Sequence, residues 1–432
     1  MWRGGCTVSV VDAGVAGDTG VVRGRPAVVD DVSLGVLVTA VDRDAIDGAV
    51  AACGAGVRRA GGKLPPHVTA YLTMGLCLFA DDDYEEVRDQ GHRVVGPVGV
   101  LGCVVDRADG QRHHPGRKRL GSAVMAEVFE GVAQPVAAMS SRGSWLRRWR
   151  LLAIDGFDVD VPDTPANVEE FGYAGSGINR SAYPKARVVA LAECGTHAFL
   201  AAEVDAYAVG EKTLANRLYP RLNRDELLTA DRNFYSFQAW GLAASTGAAL
   251  LWRAPTQLGL PVVKILPDGT YLSVLIDPKV RSAARRDAII HAASNGEDVD
   301  PDQAHLVRVI EYNVADREGN GTGEVIVLLT TILDPDEAGA EELADVYHQR
   351  WEEETANDQL KTHLRGPGRI LRSRLPDLAR QEIWAWLIVH YAIAVLISRA
   401  AEAADLDPDR ISYIRTLRLI RRTATGTADF SP

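Results

Sequence analysis

Cysteine is scarce and scattered. The five residues Cys6, Cys53, Cys77, Cys103 and Cys194 are odd in number and show no CxxC spacing. They offer neither a disulfide framework nor a cysteine zinc site, and they fit a reducing compartment. An excess of positive charge is also missing: 47 Lys and Arg against 58 Asp and Glu leave a formal net charge of -11. A uniformly basic nucleic-acid binder is thereby excluded, while local basic patches are not. The first residues, MWRGGCTVSVVDAG, lack a sustained apolar stretch, so no signal peptide is expected. The most apolar run, Ile383–Ile397, contains His390 and falls short of the roughly 20 residues a membrane span needs. A buried helix and no membrane partner are expected instead. No internal repeat is present. What remains is an ordinary globular composition over 432 residues, 47% hydrophobic and 24% charged, enough for two or three domains.

Residues 1–32, rich in Gly, Val and Asp without helical period, read as a poorly ordered N-terminus. Residues 33–139 read as a helical domain, with short helices over Ser33–Gly54, a Pro-started helix in Leu64–Val87, and another over Gly116–Val136. Inside it Arg88–Pro115 is dense in Gly, Val and His and has no assignable period, which predicts an irregular or mobile excursion. Its His113-His114 pair reads as surface histidine rather than as a metal ligand.

A strand pattern begins with LLAID at Leu151–Asp155, with a turn at Gly156-Phe157 and DVDVP beyond it. After a loop over Asp163–Gly177 come strands at Ala186–Ala192 and Ala198–Val204, a helix at Glu211–Leu222, a strand at Glu226–Asp231 and a helix at Phe234–Ala244. That order is a mixed-sheet α/β domain over 145–246. Residues 247–335 read as a β-rich insertion without regular helices, with a hairpin signal at PDGT, Pro267–Thr270. Residues 367–432 are helical again, through Leu375–Ala404 and Asp407–Arg422. Arg365, Arg369, Arg372, Arg374, Arg415, Arg418, Arg421 and Arg422 are there for phosphate.

Glu341–Leu364 has strong helix formers, no Gly or Pro, and a Gly-Pro-Gly stop at Gly366–Gly368, which predicts one long helix. On an unbroken α-helix Tyr347, Arg350, Glu354 and Lys361 fall within roughly 60° of one another, Arg350 and Lys361 about 16 Å apart. A carboxylate flanked by two cations and a phenol suits a metal beside a phosphodiester. Taken alone, such a face is more often a solvated surface laced with i,i+4 pairs. Two other carboxylates shift the balance. Asp155 and Asp231 each close an apolar strand, LLAID and ELLTAD, and strand ends can set two carboxylates side by side. With Glu354 as a third, the group repels itself unless hard cations are bound, and Mg²⁺ takes such oxygens.

LLAIDGFDVDVPDTPAN, ELLTADRNFYS and the spacing Tyr347-x2-Arg350-x3-Glu354-x6-Lys361 resemble the transposases of bacterial insertion sequences of the fourth family. SLGVL at Ser33–Leu37 and LRSRLPDLARQEIW at Leu371–Trp384 add to the resemblance, which covers about 33–87 and 116–422. It implies a ribonuclease H-like catalytic core, 145–246 with 336–366, interrupted by the insertion, and an N-terminal domain that binds DNA ends. By resemblance Asp155, Asp231 and Glu354 hold two Mg²⁺ ions, with Mn²⁺ able to substitute. Tyr347, Arg350 and Lys361 hold DNA phosphates, and Trp252 is the candidate to stack on a flipped base, with aromatic core packing as the alternative. The implied activity is cut-and-paste transposition on double-stranded DNA, at terminal inverted repeats and then at a target. The implied assembly is a homodimer on DNA, working in the cytoplasm on the nucleoid. A non-catalytic DNA-binding relic and a metal-dependent nuclease of the same fold are the alternatives.

Overall fold

The computed structural model describes residues 35–55, 65–80, 110–314 and 324–424. Most of Arg88–Pro115 and all of 1–32 lie outside them. Three helices open the described chain: α1 (Gly35–Ala40), α2 (Arg43–Ala52) and α3 (Pro66–Leu78). Asp42 caps α2 by accepting from the Ala45 amide at 2.7 Å. Next, α4 (Gly110–Val132) consists of two helical runs meeting at Gly121, where φ is 76°. Residues 110–115 are therefore helical, not part of an irregular excursion.

The sheet begins with β1 (Trp145–Leu146) and the long β2 (Trp149–Asp160), followed by α5 (Pro165–Phe171), β3 (Lys185–Glu193) and β4 (Phe199–Ala206). Then come α6 (Glu211–Leu218), β5 (Glu226–Ala230), α7 (Phe237–Ala244) and β6 (Ala249–Arg253). A second group follows: β7 (Lys264–Ile265), β8 (Tyr271–Ile276), α8 (Ala283–Ser294), β9 (Ala304–Val314) and β10 (Glu324–Thr330). All join one mixed sheet of 10 strands in the order β4-β3-β2-β5-β6-β10-β9-β8-β7, with β1 on β2. β2, β5 and β6 run parallel, and the other pairings are antiparallel.

Four expectations change here. No turn interrupts β2 at Gly156-Phe157, because β3 pairs with it from Leu152 through Asp160. The loop over Asp163–Gly177 contains α5, capped by Thr164, whose Oγ1 accepts from Asn167 N. The stretch 247–335 expected to be an insertion opens with β6, which pairs with β5 in the parallel centre. Nor is that stretch free of helices, since it holds the 12-residue α8.

Beyond β10 the chain is helical: α9 (Ala340–His348), α10 (Trp351–Asp358), a π-turn at Gln359–Leu364, α11 (Pro376–Ala403) and α12 (Tyr413–Ala424). The 28-residue α11 is long and apolar enough to span a membrane by composition, but 83% of that apolar window is buried. It is the central beam of a core that joins the N-terminal helices to one face of β2, β3 and β4. Residues alternate along a strand, so the sheet has two distinct faces. Leu152, Ile154, Leu228, Ala230, Leu250 and Trp252 pack with α6 and α7 on one face. Leu151, Ala153, Leu227 and Leu251 pack with α9 on the other, and further along β2, Phe157 and Val159 pack with the π-turn and α11 on that same face.

Candidate active site

Asp155 follows Ala153 and precedes Phe157 in the strand alternation, so it belongs to the face covered by α9, α10 and the π-turn. It is not at a strand end, as its sequence suggested, because β2 continues on β3. It stands where the parallel partner stops: Ile154 is level with Ala230, the last residue of β5. Asp231 is the next residue, just past the end of β5, and it follows Ala230 as Asp155 follows Ile154. The same register continues across the sheet. Ala230 is level with Trp252, the residue before Arg253. The paired row Ile154, Ala230 and Trp252 is thus followed on its three strands by Asp155, Asp231 and Arg253. Both carboxylates are half-buried, and Asp231 Oδ1 accepts from the Arg232 amide at 2.6 Å.

The predicted single helix is three pieces. At Gln349 and Arg350 the ladder tightens, with Gln349 N bonding Val346 O at 3.0 Å and Arg350 N bonding Tyr347 O at 3.2 Å. At the far end it widens into the π-turn, where Arg365 N reaches Leu360 O at 3.0 Å. The physical reason is docking. Leu343, Val346 and Tyr347 pack among β5, β6 and β10 residues, whereas Ala356, Leu360 and Leu364 pack toward β2 and α11. One straight rod does not serve both sites. Behind the π-turn, Gln359 is clamped between His197 Nδ1 at 2.9 Å and His390 Nε2 at 3.3 Å. Burial, aided by His197, drives the His390 pKa down to about 3, so His390 is neutral in this clamp.

Asn357 on α10 reaches the site directly, its Nδ2 donating to Asp155 Oδ2 at 3.3 Å. Glu354 lies one turn earlier, where it accepts from Arg350 Nη2 at 3.0 Å. Its side chain is 54% exposed against 12% for Arg350. Arg350 also lies 5.9 Å from the Tyr347 ring centre. Burial works against its charge, but Tyr347, Glu354 and Asp231 outweigh that and raise its pKa. Tyr347 is raised by burial, with Arg350 and Arg253 opposing and Asp231 adding to the rise. Lys361 Nζ sits 5.6 Å from the ring centre of Phe157, two residues beyond Asp155 on its face. Below the strand, a Cβ at Gly156 would fall 3.0 Å from Glu211 Oε1, so that position has room only for glycine unless Glu211 moves.

Tyr347, Arg350, Glu354, Lys361, Asp155 and Asp231 therefore share one side of the sheet. Among the described residues, no three acidic, histidine or cysteine side chains gather tightly enough for a metal ion. Glu354 is taken by Arg350, as charge balance favours where three bare carboxylates would repel. For Trp252 the structure favours core packing over base stacking. It is 0% exposed, wedged 5.4 Å from both Tyr219 and Trp240 on the opposite face, with no ring surface open to a base. Its neighbour Arg253 faces the site instead, one residue being one face in a strand. Arg253 and Asn357 were missed by sequence reasoning; the signal for Asn357 was its i+3 spacing from Glu354. Several C-terminal arginines are also structural: Arg365 is buried, and Arg372 and Arg421 donate to the Ala80 and Leu78 carbonyls.

Residues 31–130 match the family model described as insertion element 4 transposase N-terminal, and residues 148–392 match that of the transposase DDE domain. The transposase InsG for insertion sequence element IS4 of Escherichia coli (strain K12) is 28% identical over 322 residues, covering 73% of this chain and 67% of the relative. A putative transposase InsZ of the same organism is 32% identical over 121 residues, 28% of this chain and 40% of that protein. Among solved structures, the cryo-EM structure of a piggyBac transposase synaptic complex with hairpin DNA aligns with a TM-score of 0.46 at 9% identity. That alignment covers 92% of this chain and 82% of the other.

Proposed function

The chain belongs to the insertion element 4 family of DDE transposases, and from that premise we propose that it performs cut-and-paste DNA transposition at the row Asp155, Asp231, Arg253. The observation that supports this reading is the shared register of Ile154, Ala230 and Trp252, each followed in its chain by one of the three residues Asp155, Asp231 and Arg253. We read the five strands β4-β3-β2-β5-β6 as a ribonuclease H-like core and β7 to β10 as the insertion that extends its sheet. The N-terminal helices would hold the element's ends, and two copies of the chain would pair them.

The donor set fits a hard divalent cation: adjacent carboxylate oxygens, with no thiol or imidazole in the row. Asp155, Asp231 and Glu354 would hold Mg²⁺, which activates the attacking water or 3′-hydroxyl and stabilises the leaving oxygen. The protein's own groups do the positioning. Asn357 fixes the rotamer of Asp155 through its neutral amide and adds no charge. Arg350, Arg253 and Lys361 would take phosphate oxygens, and Tyr347 would support Arg350. Phosphate arriving at Arg350 would release Glu354 toward the two aspartates, so the carboxylate set would complete only on DNA. Such chemistry belongs on the nucleoid, in the cytoplasm.

The test is metal-started cleavage of duplex DNA carrying the inverted repeats that flank the gene, with wild type, Asp231→Asn and Glu354→Gln. The expected result is end-specific nicking and strand transfer by wild type, lost by orders of magnitude in both variants while end binding persists. Cutting without end preference would instead identify a nuclease. End binding without any cleavage would identify a relic.

A further inference from the structure

The loop between β2 and β3 has no part in the site described above. We infer that its tip, Gly175–Arg180, is a preformed wedge for the minor groove of duplex DNA; the inference rests on the proposal that the chain acts on DNA. β2 runs past Asp155 to Asp160 before the loop begins, so the loop leaves the sheet in the direction the chain takes from Asp155.

The tip is rigid. Ser181 N donates to Ala174 O at 2.8 Å, and Ala174 N donates to Ser181 Oγ at 3.0 Å. Tyr173 pairs with Pro184 as an isolated bridge, and its hydroxyl donates to Asp163 Oδ1 at 2.9 Å. The Arg180 guanidinium lies 4.3 Å from the Tyr173 ring centre. Gly175 has φ 69°, and a Cβ there would fall 2.4 Å from the Asn179 carbonyl oxygen, so the tight closure depends on glycine. This bracing holds Ile178 out at 102% exposure.

A single exposed isoleucine is ordinary. This one heads a stretch with three further properties. From Phe171 to Lys185 there is no acidic residue, in a chain of net charge -11. Its tip side chains Gly175, Ser176, Gly177 and Ser181 are small, which lets backbone approach the walls of a groove roughly 6 Å wide. Asn179 and Arg180 follow the wedge directly, the residue types that read a minor groove while an apolar side chain opens a base step. Because an isoleucine reads the deformability of a step and not its base edges, the contact tolerates many sequences.

The experiment uses the full chain without divalent metal and a mixed-sequence duplex carrying 2-aminopurine at a pyrimidine–purine step. Wild type should bind it, raise the 2-aminopurine fluorescence by unstacking, and bend the duplex as read by end-to-end energy transfer. Ile178→Ser should lose both signals and bind about fivefold to tenfold more weakly. Its unfolding midpoint should not move, because the side chain touches nothing. Arg180→Ala should make the salt dependence of binding shallower by about one phosphate contact. Ile178→Ser that binds, unstacks and bends as wild type overturns the wedge alone. So does Ile178→Ser that lowers self-association in the ultracentrifuge with DNA binding intact, which would assign the tip to a second copy of the chain. A wild-type chain that binds no duplex overturns the transposition proposal and the wedge with it.

Discussion

Replacing Trp252 separates a core residue from a DNA contact. The indole is 0% exposed and lies 5.4 Å from the rings of Tyr219 and Trp240, edge-on to the latter at 82°. Burying a ring of that size removes roughly 150–250 Å² from water, about 4–6 kcal/mol at ~25 cal/mol per Å². Measured truncations of buried Phe and Trp to Ala cost about 3–5 kcal/mol, cavity included. Trp252→Ala should therefore destabilise by about 4 kcal/mol, nearly a thousandfold in the folding equilibrium. Trp252→Phe should cost much less. It keeps a ring and removes an indole Nε1 that has no hydrogen-bond partner, and an unpaired buried donor costs about 1–3 kcal/mol, offsetting part of the lost area. Urea unfolding followed by circular dichroism measures both, and end binding is then compared where each variant is still folded. Trp252→Ala with an unchanged unfolding midpoint and a lost base-unstacking signal would refute the reasoning, because the ring would have to reach DNA.

Three further outcomes follow from the site. Arg350→Ala and Lys361→Ala should each flatten the salt dependence of DNA binding by about one phosphate contact. Arg350→Ala should lower stability by no more than about 1 kcal/mol, since Glu354 is largely solvated; unchanged salt slopes would return this helix to a plain charged surface. Asn357→Ala should slow cleavage roughly ten- to a hundredfold, the usual loss when a ligand's orienting partner is removed. Its end binding should match wild type, and a parallel loss of binding would show instead that α10 had undocked. The last concerns pH. Burial, then Asp155 and Asp158, raise the Glu211 pKa above its usual 4.5 against the pull of Arg187. An acid with a raised folded pKa costs stability once ionised, so the cost is absent below about pH 4.5 and complete above the folded pKa. Glu211→Gln should thus raise the urea midpoint at pH 8 and lose that advantage near pH 4. An equal effect at both pH values would show that ionisation is not the cause.

What the sequence by itself determined is the chemistry that local patterns encode. Residue identity and spacing carried the family, and they singled out Asp155, Asp231, Tyr347, Arg350, Glu354 and Lys361 as candidates. They also carried most helices and strands between Leu151 and Ala244 and the hairpin at Pro267–Thr270. Each depends on residues close in the chain, where propensity, turn chemistry and apolar period act directly. Tertiary structure decided the facing and the breaks. Trp252 and Arg253 are neighbours in sequence, and only the parallel pairing of β6 on β5 shows that Arg253, not Trp252, joins the site face. The sequence pattern ends β2 at Asp155, yet β3 carries the strand on to Asp160, while β5 stops level with Ile154. The helix from Glu341 has no internal breaker; it is divided because its two ends dock on different parts of the sheet and on α11. Asn357 stands out only when its amide is found on Asp155, 202 positions away in sequence. Register and docking are set by contacts between distant segments, and a period read along one segment does not contain them.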